Sequence, residues 1–261
     1  MALLEPTTRR GVEQLAALIG AARSVVALTG AGISVPSGIP DFRTPRTGLW
    51  ENVNQMEVAH IDAFHSDPVR FWSFYGERFA SLQDKRPNGA HDVLAELERR
   101  GILDGLITQN IDMLHTLAGS SDPVEVHGSI AGSSCLSCPG SIALAEVRSR
   151  QAEEPDGVPR CEHCGRPLKP DVVLFGEMLD ERTLTRTRTL CEQADVLLCI
   201  GSSLEVHPVA GLPTATLANG GAVAIVTQGP TPLDELAAVR LSGDVVGELQ
   251  ALLAELSRQA A

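Results

Sequence analysis

The chain has 261 residues, of which 43% are hydrophobic and 21% are charged, and this balance excludes a disordered protein. Its net charge of −12, without any block rich in Lys and Arg, excludes a protein that binds nucleic acid directly through phosphate neutralisation. No apolar run reaches membrane length, and the residues after Met1 lack the basic and apolar regions of a secretory signal. We therefore expect a cytoplasmic globular protein without a membrane segment, large enough for one core and a small additional module.

The predicted elements begin with a helix that leads into a buried strand. Residues 11–22 repeat apolar side chains at helical spacing. Residues 24–29 form a short apolar run that ends in a Gly-Ala-Gly turn at Gly30, a pattern typical of a buried strand followed by a tight turn. Glycines in this position allow the backbone to approach a pyrophosphate closely. Gly38 lies too late for the strict dinucleotide-binding spacing, so this motif alone is equally consistent with a turn that binds no ligand.

The rest of the chain alternates helices and apolar strands. This alternation predicts a doubly wound, Rossmann-like parallel sheet of the α/β class. Such sheets bind their ligands at the carboxyl ends of the strands. The predicted elements are a helix over 90–100 ended by Gly101, a strand from Leu106, a strand over 195–200 followed by Gly201, a strand over 222–226 and a closing helix over 245–256.

The interval 128–170 breaks this alternation and carries two Cys-x-x-Cys pairs. The pairs are Cys135 with Cys138 and Cys161 with Cys164, and 22 residues separate them. Four thiolates fill a tetrahedral site completely, so the predicted metal is one structural zinc ion, and four unliganded thiols are the alternative.

The cysteine-rich interval divides the chain into two parts. We predict a Rossmann-like domain formed by residues 1–127 and 171–261, and a small zinc-binding module formed by residues 128–170. Two other cysteines, Cys191 and Cys199, fall in a predicted helix and a predicted strand, and we expect them to be small core residues. The use of cysteine for metal rather than for disulfides indicates a reducing compartment.

Four further segments place polar side chains and a second glycine turn where such a sheet binds ligands. Together they supply a carboxylate, an amide pair, an aromatic ring and an imidazole. His127 has apolar neighbours, which favour the neutral imidazole that a general base requires, and a hydrogen-bonded core histidine is the alternative. The segments are Gly38–Arg43, Thr108–Asp112, Val126–Gly128 and Gly201–Ser203.

These motifs together resemble those of the sirtuins, the family of NAD-dependent protein lysine deacylases, and in particular the bacterial type. The resemblance extends from Leu15 to Leu249 and includes both cysteine pairs and the segment Phe175–Glu177. It implies a protein that consumes NAD as a co-substrate, holds one structural zinc ion and acts on acyl-lysine proteins bound as extended peptides. The expected products are nicotinamide, O-acyl-ADP-ribose and deacylated lysine.

The resemblance also implies roles for individual residues. His127 would be the general base, which deprotonates a ribose hydroxyl after the acyl carbonyl oxygen has displaced nicotinamide. Thr227 stands where the family usually has an asparagine, although a hydroxyl can still donate and accept hydrogen bonds. The peptide would be held by strand addition along Phe175, Gly176, Glu177, Leu204 and Val206. NAD would be bound by Gly30, Ala31, Gly32, Ser34, Asp41, Phe42, Arg43, Gln109, Asn110, Asp112, Gly201, Ser202, Ser203 and Thr227.

A separate group of residues would select the acyl group. Tyr75 and Arg78 lie three residues apart on a predicted helix, at the spacing found in sirtuins that remove succinyl and malonyl groups. A guanidinium and a phenol together could hold a distal carboxylate. Ala59 stands where acetyl-specific members have a bulky phenylalanine, whereas Asp41 resembles the acetyl-preferring branch. The sequence therefore leaves deacetylation, desuccinylation and demalonylation open, and an exposed helix pair is the alternative for Tyr75 and Arg78.

Functions of other classes also stay open on the sequence alone. A protein ADP-ribosyltransferase or an NAD hydrolase would share the NAD-binding residues. A non-catalytic zinc-ribbon module or a hydride-transferring dehydrogenase would share parts of the fold. The peptide-binding segments and His127 favour deacylation. The sequence gives neither the protein targets nor the oligomeric state, for which we expect a monomer.

Overall fold

The computed structural model describes residues 6–41, 48 and 54–260, and these contain two β-sheets. The larger sheet is entirely parallel, and the smaller one is antiparallel. The strands are β1 (Val25–Thr29), β2 (Gly105–Thr108), β3 (Val124–Glu125), β4 (Gly128–Cys135), β5 (Ser141–Ala143), β6 (Leu168–Val172), β7 (Val196–Ile200), β8 (Ala222–Val226) and β9 (Val239–Leu241).

The larger sheet has the strand order β3-β2-β1-β7-β8-β9. The chain thus runs outward from β1 in one direction and from β7 in the other, which is the Rossmann arrangement and confirms the predicted α/β class. Residues of β1 alternate between two hydrophobic clusters, with Val25 and Ala27 in one and Val26 and Leu28 in the other. Both faces of the sheet are therefore buried, which explains why its strands are continuous apolar runs.

Ten α-helices belong to the described residues, and five of them cover the larger sheet. They are α1 (Pro6–Ala21), α2 (Gln55–Val58), α3 (Ile61–Ser66), α4 (Pro68–Gln83), α5 (Gly89–Arg99), α6 (Leu114–Leu117), α7 (Leu144–Glu153), α8 (Glu181–Gln193), α9 (Leu212–Ala218) and α10 (Val245–Gln259). Helices α1, α5 and α10 pack on one face, and α8 and α9 pack on the other. In the part of the chain that the structure describes, no helix has the length and apolar character needed to cross a bilayer.

The smaller sheet, in the order β5-β4-β6, shares a core with helix α4. Phe71, Trp72 and Phe79 of α4 pack in one cluster with Ile130 of β4 and Leu168 of β6. The Trp72 Nε1–H donates to the Leu168 carbonyl at 2.9 Å. This core is distinct from the clusters on the two faces of the larger sheet, so α4 and the small sheet form one packed unit.

The predicted strands, all in the larger sheet, agree with the observed ones to within one residue, but the three strands of the smaller sheet were not predicted, and neither were two strands of the larger sheet. These are β3 and β9, which have two and three residues and are defined by their pairing with β2 and β8. Helix α1 begins at Pro6, whereas the sequence predicted a start at Gly11. The residues between them carry no apolar periodicity that would mark the first turn.

Candidate active site

Two glycine turns meet at the carboxyl ends of β1 and β7, the adjacent strands at which the strand order reverses. The Gly30 N–H donates to the Ile200 carbonyl at 3.0 Å, and the Gly32 N–H donates to the Gly201 carbonyl at 2.8 Å. A methyl group on Gly32 would lie 2.8 Å from Gly201 Cα, and one on Gly201, whose φ is +61°, would lie 2.3 Å from Ile33 N. The contact between the turns therefore requires glycine. The absence of side chains at these glycines would also let a ligand approach the backbone of the turns closely.

A buried polar cluster lies behind the turn that follows β1. The Ser34 hydroxyl donates to Asp112 Oδ2 at 2.7 Å, and the Asn110 side-chain amide donates to Ser34 Oγ at 3.1 Å and to the Gly30 carbonyl at 3.2 Å. Ser34, Asn110 and Asp112 are each at most 7% exposed. His91, which the sequence analysis did not single out, lies with Nε2 3.4 Å from Ser34 Oγ. The cluster fixes the orientation of three predicted NAD-binding side chains.

His127 follows β3 and is held by the residue that follows β2. Its Nδ1 lies 2.9 Å from the Gln109 carbonyl oxygen. Because a carbonyl can only accept, Nδ1 carries the proton, and Nε2 is the basic nitrogen of the neutral ring. Burial lowers the pKa of His127, and the hydrogen bond to Gln109 opposes this effect. The Gln109 side chain in turn donates to Ser202 Oγ at 2.8 Å, which links this histidine to the turn after β7.

A cavity of about 680 Å³ brings many of the predicted site residues together. It is bounded by the turn after β1, the segments after β2 and β3, helix α4 and the chain on either side of Gly176. Gly30, Gly32, Gly201 and Ser202 stand behind this lining and support it through the contacts described above. The predicted residues that line the cavity are Ala31, Ser34, Ala59, Tyr75, Arg78, Gln109, Asn110, Asp112, His127, Phe175, Gly176, Glu177 and Val206.

The proposed acyl-selecting residues belong to the lining of this cavity. Tyr75 is only 6% exposed, and its ring stacks on Phe71 with 4.5 Å between centroids. Burial raises the pKa of Tyr75 to about 12, so the phenol stays protonated and can donate a hydrogen bond. Burial lowers the pKa of Arg78, while Tyr75 and Asp112 raise it. Tyr75, Arg78 and Ala59 all line the cavity, so the pair is not an exposed helix surface.

The segment around Phe175 is fixed against the start of α3. The Phe175 N–H donates to the Ala59 carbonyl, and the Ile61 N–H donates to the Phe175 carbonyl, both at 2.9 Å. Gly176 has a φ of +86°, and a methyl group there would lie 2.6 Å from His60 Nε2. In the other predicted peptide-binding segment, Leu204 is buried and its N–H donates to Ser202 Oγ at 3.2 Å. Leu204 does not line the cavity, whereas Val206 does.

Some predicted NAD-binding residues lie away from the cavity or outside the described residues. Thr227 follows β8, and its N–H donates to the end of β9 at 3.0 Å. Asp41 and Ser203 are partly buried and do not belong to the residues that line the cavity. Phe42 and Arg43 lie outside the described residues.

Sequence reasoning missed the apolar part of the cavity wall. Ile39, Phe74, Ile111, Leu174 and Leu184 all belong to it. The first four lie within or beside segments that the sequence analysis had singled out for their polar or aromatic residues. Leu184 lies on α8, and nothing in its local sequence distinguishes it from a residue that packs against the sheet.

The four predicted cysteines form a compact cluster at the edge of the small sheet. Cys135 Sγ lies 3.4 Å from Cys164 Sγ, and Cys138 Sγ lies 3.4 Å from Cys161 Sγ and 3.6 Å from Cys164 Sγ. All four sulfurs lie within 4.8 Å of one another. A tetrahedral zinc site with Zn–S bonds of about 2.3 Å has sulfur–sulfur edges of about 3.8 Å. The cluster therefore fits one structural zinc ion and leaves no position for a substrate.

The fold and the site define a nucleotide-binding α/β enzyme. Paired glycine turns lie at the switch point of a Rossmann sheet, beside a cavity lined by a buried polar cluster and a histidine. The Sir2 family model matches residues 30–208, and the chain belongs to the Sir2 family. The resemblance to the sirtuins that the sequence motifs indicated is thereby confirmed.

Similar proteins match nearly the whole chain. NAD-dependent protein deacetylase 1 of Geobacillus kaustophilus is 42% identical over 246 residues, which cover 91% of this chain and 97% of the relative. The NAD-dependent protein deacylase of Thermococcus sibiricus is 41% identical over 248 residues, which cover 95% and 97%. A solved structure of a Sir2 variant with a deacetylated p53 peptide and 3′-O-acetyl ADP ribose has a TM-score of 0.89 at 37% identity, covering 94% of this chain and 98% of that chain.

Proposed function

We propose that this chain is an NAD-dependent protein lysine deacylase that forms nicotinamide, O-acyl-ADP-ribose and deacylated lysine. The observation that carries this proposal is the cavity of about 680 Å³ described above. It is lined by the polar cluster behind the first glycine turn, by His127 and by the segment at Phe175. Residues suited to NAD, to proton transfer and to peptide binding are thus adjacent. The names of the similar proteins, and the peptide and acetyl ADP ribose in the similar structure, support the same conclusion.

The side chains of the cavity would have different roles in the proposed reaction. NAD, when bound, supplies an electrophilic ribose carbon and nicotinamide as the leaving group. Asn110 and Asp112 would bind the nicotinamide end of NAD. Hydrogen bonds with Ser34 already fix the orientation of both side chains. His127 would accept a ribose hydroxyl proton on Nε2. Its Nδ1–H, held by the Gln109 carbonyl, would keep the ring in place as it becomes charged.

The acyl-lysine peptide would lie between the segments at Phe175 and at Leu204–Val206. An extended peptide that adds to exposed backbone is held by hydrogen bonds that are largely independent of its sequence. The cavity floor between these segments is apolar where Val172 and Leu174 line it, which suits the methylene chain of a lysine. His127 would then lie close to the reacting end of that side chain.

We also propose that the acyl pocket accepts short acyl groups with a distal carboxylate, in addition to acetyl. The support is the burial of Tyr75, the position of Arg78 in the same lining, and the small side chain of Ala59 next to them. A guanidinium that is mostly removed from water gains more from a carboxylate than an exposed one does. Succinyl and malonyl groups fit this chemistry.

Turnover of matched acetyl-, succinyl- and malonyl-lysine peptides tests both proposals, with products identified by mass spectrometry. Deacylated peptide together with O-acyl-ADP-ribose is the expected result. Plain ADP-ribose without peptide deacylation would identify an NAD hydrolase, and ADP-ribosylated peptide would identify a transferase. Turnover of acetyl-lysine alone would contradict only the proposed acyl range.

The substitution Arg78→Met tests the acyl pocket directly, because it keeps much of the bulk and removes the charge. We expect kcat/KM for the succinyl peptide to fall about ten- to a hundredfold, since a hydrogen bond to a charged group contributes about 1.5–3 kcal/mol. Turnover of the acetyl peptide should change little. Tyr75→Phe should reduce succinyl turnover less, because it removes a single hydroxyl.

A matched control lies on the same helix. Glu77 is exposed and is not part of the cavity lining, so Glu77→Gln changes the charge of α4 without touching the pocket. This control should leave both substrates unaffected. An equal loss of acetyl and succinyl turnover in Arg78→Met would contradict a role in carboxylate recognition.

The cysteine cluster bears on where the protein works. Four thiolates that bind zinc must stay reduced, which supports the cytoplasm as its location. We also propose that residues 128–170 form a structural module, inserted into a domain made from residues 1–127 and 171–261, whose helix α4 packs on the module.

A further inference from the structure

Lys169 occupies an unusual place for a lysine. It lies on β6 and is only 8% exposed, and the chain has one other lysine, Lys85. The Lys169 ammonium donates to the Pro170 carbonyl at 3.0 Å and to the Val172 carbonyl at 2.7 Å. It also lies 3.0 Å from Glu177 Oε2. All three ammonium protons therefore have an acceptor, as a buried charge requires.

Glu177 connects the Lys169 ammonium to the chain segment that precedes Glu177. Its Oε2 accepts the Leu174 N–H at 2.8 Å as well as the Lys169 ammonium. The carboxylate is therefore turned toward its own backbone, although Glu177 belongs to the cavity lining. The Lys169 ammonium thus joins the Val172 carbonyl at the end of β6 to Glu177, the last residue of the segment 173–177, which we call the clamp loop.

The clamp loop is held on its other side by α3. Phe175 exchanges two backbone hydrogen bonds with Ala59 and Ile61, and Gly176 packs against the ring of His60. The ion pair supplies the contact on the side of β6. Without it, the stretch between Val172 and Glu177 would lose the charged contact that joins its two ends.

The same ion pair joins the proposed zinc-binding module, residues 128–170, which contains Lys169, to Glu177 outside it. In the small sheet, Lys169 pairs with Ser134, and the preceding Leu168 pairs with Cys135, one of the four cysteines. The ammonium therefore belongs to a strand that pairs with the end of β4, where Cys135 lies. Through Glu177, it couples that strand to the clamp loop.

We propose that Lys169 and Glu177 are a positioning pair, which holds the clamp loop in the conformation that binds the acyl-lysine peptide. Glu177 acts through the loop backbone and not by contact with the peptide. This inference rests on the proposed function, since it concerns the peptide-binding side of the same cavity. Pre-ordering a loop lowers the free-energy cost of binding, so the pair should affect peptide affinity and leave the chemical step unchanged.

The substitution Lys169→Met tests this inference. We expect the KM for an acetyl-lysine peptide to rise about tenfold, because hydrogen bonds to a charged group are lost. The kcat at saturating peptide and the affinity for NAD, measured by calorimetry, should stay within about twofold of the wild type. Lys169→Arg retains the charge and several donors and should restore most of the peptide KM.

Two further variants keep the test decisive. Lys169→Met leaves the partly buried Glu177 carboxylate without its cation, which lowers stability. The double variant Lys169→Met/Glu177→Gln removes both charges and keeps an acceptor for the Leu174 N–H. The double variant should fold with a thermal midpoint close to that of the wild type and still show the raised peptide KM. Arg166→Met removes an exposed cation from the same module and should leave the peptide KM unchanged.

The outcomes separate this inference from the function on which it rests. A normal peptide KM in the double variant, a fall in kcat with KM unchanged, or a failure of Lys169→Arg to restore KM would overturn the inference while deacylation stands. Absence of turnover of any acyl peptide by the wild type would contradict the proposed function, and this inference with it.

Discussion

The protonation state of His127 should determine how the reaction depends on pH. Burial lowers the pKa of this imidazole below its ordinary value of 6.5, so the neutral form that accepts a proton persists into mildly acidic solution. Activity should therefore be constant near neutral pH and should fall as the pH drops through the His127 pKa. We expect kcat/KM, measured between about pH 5 and 8 at saturating NAD, to show an acid limb with its midpoint below 6.5. A midpoint at or above 6.5 would contradict this assignment.

The variant His127→Ala is the control for that profile. Loss of a general base lowers the rate by about 10²–10⁴-fold, so deacylation should nearly disappear. NAD affinity should persist, because the polar cluster of Ser34, Asn110 and Asp112 does not depend on His127. Retention of more than about a tenth of the wild-type turnover would argue against His127 as the base.

At the residue scale, the sequence motifs predicted which side chains gather at the cavity but not how they are oriented. The motif around Asn110 indicated a ligand-binding segment, and the structure adds that Ser34 fixes this side chain. The glycine motif suggested backbone amides that face a phosphate, whereas the Gly30 and Gly32 amides are bonded within the protein. Their partners lie at the end of β7 and in the turn after it, about 170 positions later in the chain, and no local pattern reports such a contact.

The two glycine turns form one structural element, although they come from distant parts of the chain. A methyl group on Gly32 would meet the Gly201 backbone at 2.8 Å, and backbone cannot move aside as a side chain can. We expect Gly32→Ala to lower stability by about 1–3 kcal/mol through this overpacking and to weaken NAD binding. Thermal unfolding and calorimetry would measure the two effects.

A second glycine provides the comparison. Gly211 has no heavy atom within 4 Å of where its methyl group would lie, so Gly211→Ala should be tolerated. If Gly32→Ala unfolded at the wild-type temperature and bound NAD normally, the turns would be free to separate, and their contact would not define the site.

Helices and strands were predictable where they bury a regular pattern of apolar side chains. They were not predictable where only backbone pairing with a neighbouring strand defines them. The apolar runs at β1, β7 and β8 were predicted to within one residue because both faces of the sheet are covered. The two-residue β3 has no pattern of its own and exists through its pairing with β2. Helix α2 has only four residues, little more than one turn, so its sequence gives no period to detect.

The cysteine cluster affects the whole molecule because it belongs to the core shared by the small sheet and α4. Cys161 is part of that hydrophobic cluster, which also contains Tyr75. Since zinc binding and folding of such a module are coupled, removal of zinc by a strong chelator should lower the thermal midpoint and the deacylase activity together. We expect a decrease of more than about 5 °C, given the few degrees that each kcal/mol represents in a chain of this size. Calorimetry and a turnover assay on the same sample would follow both quantities.

Readdition of zinc is the control for that experiment. Zinc should restore the midpoint and the activity, and magnesium, which prefers oxygen ligands, should not. A preparation shown by metal analysis to be free of zinc, yet fully active and equally stable, would contradict a structural role for the metal.

For the molecule as a whole, the spacing of the cysteines predicted the metal site, but not the surface on which its module packs. The four ligands come from two short motifs, which the sequence displays directly. The packing of α4 on the small sheet depends on contacts between residues about 60 to 100 positions apart, such as Trp72 with Ile130 and Leu168. Such contacts leave no periodic signal in the sequence.

The burial of Lys169 has a practical consequence for amine chemistry. The chain has two lysines, and the ammonium of Lys169 is enclosed and bonded to three acceptors. Of the two lysine side chains, reagents that modify accessible uncharged amines would thus reach Lys85, which is partly exposed. A dye or a surface linker can therefore be directed to one side chain without touching the clamp loop. By the same reasoning, an enzyme that acts on acyl-lysine offers little acyl-lysine of its own to compete with added peptides.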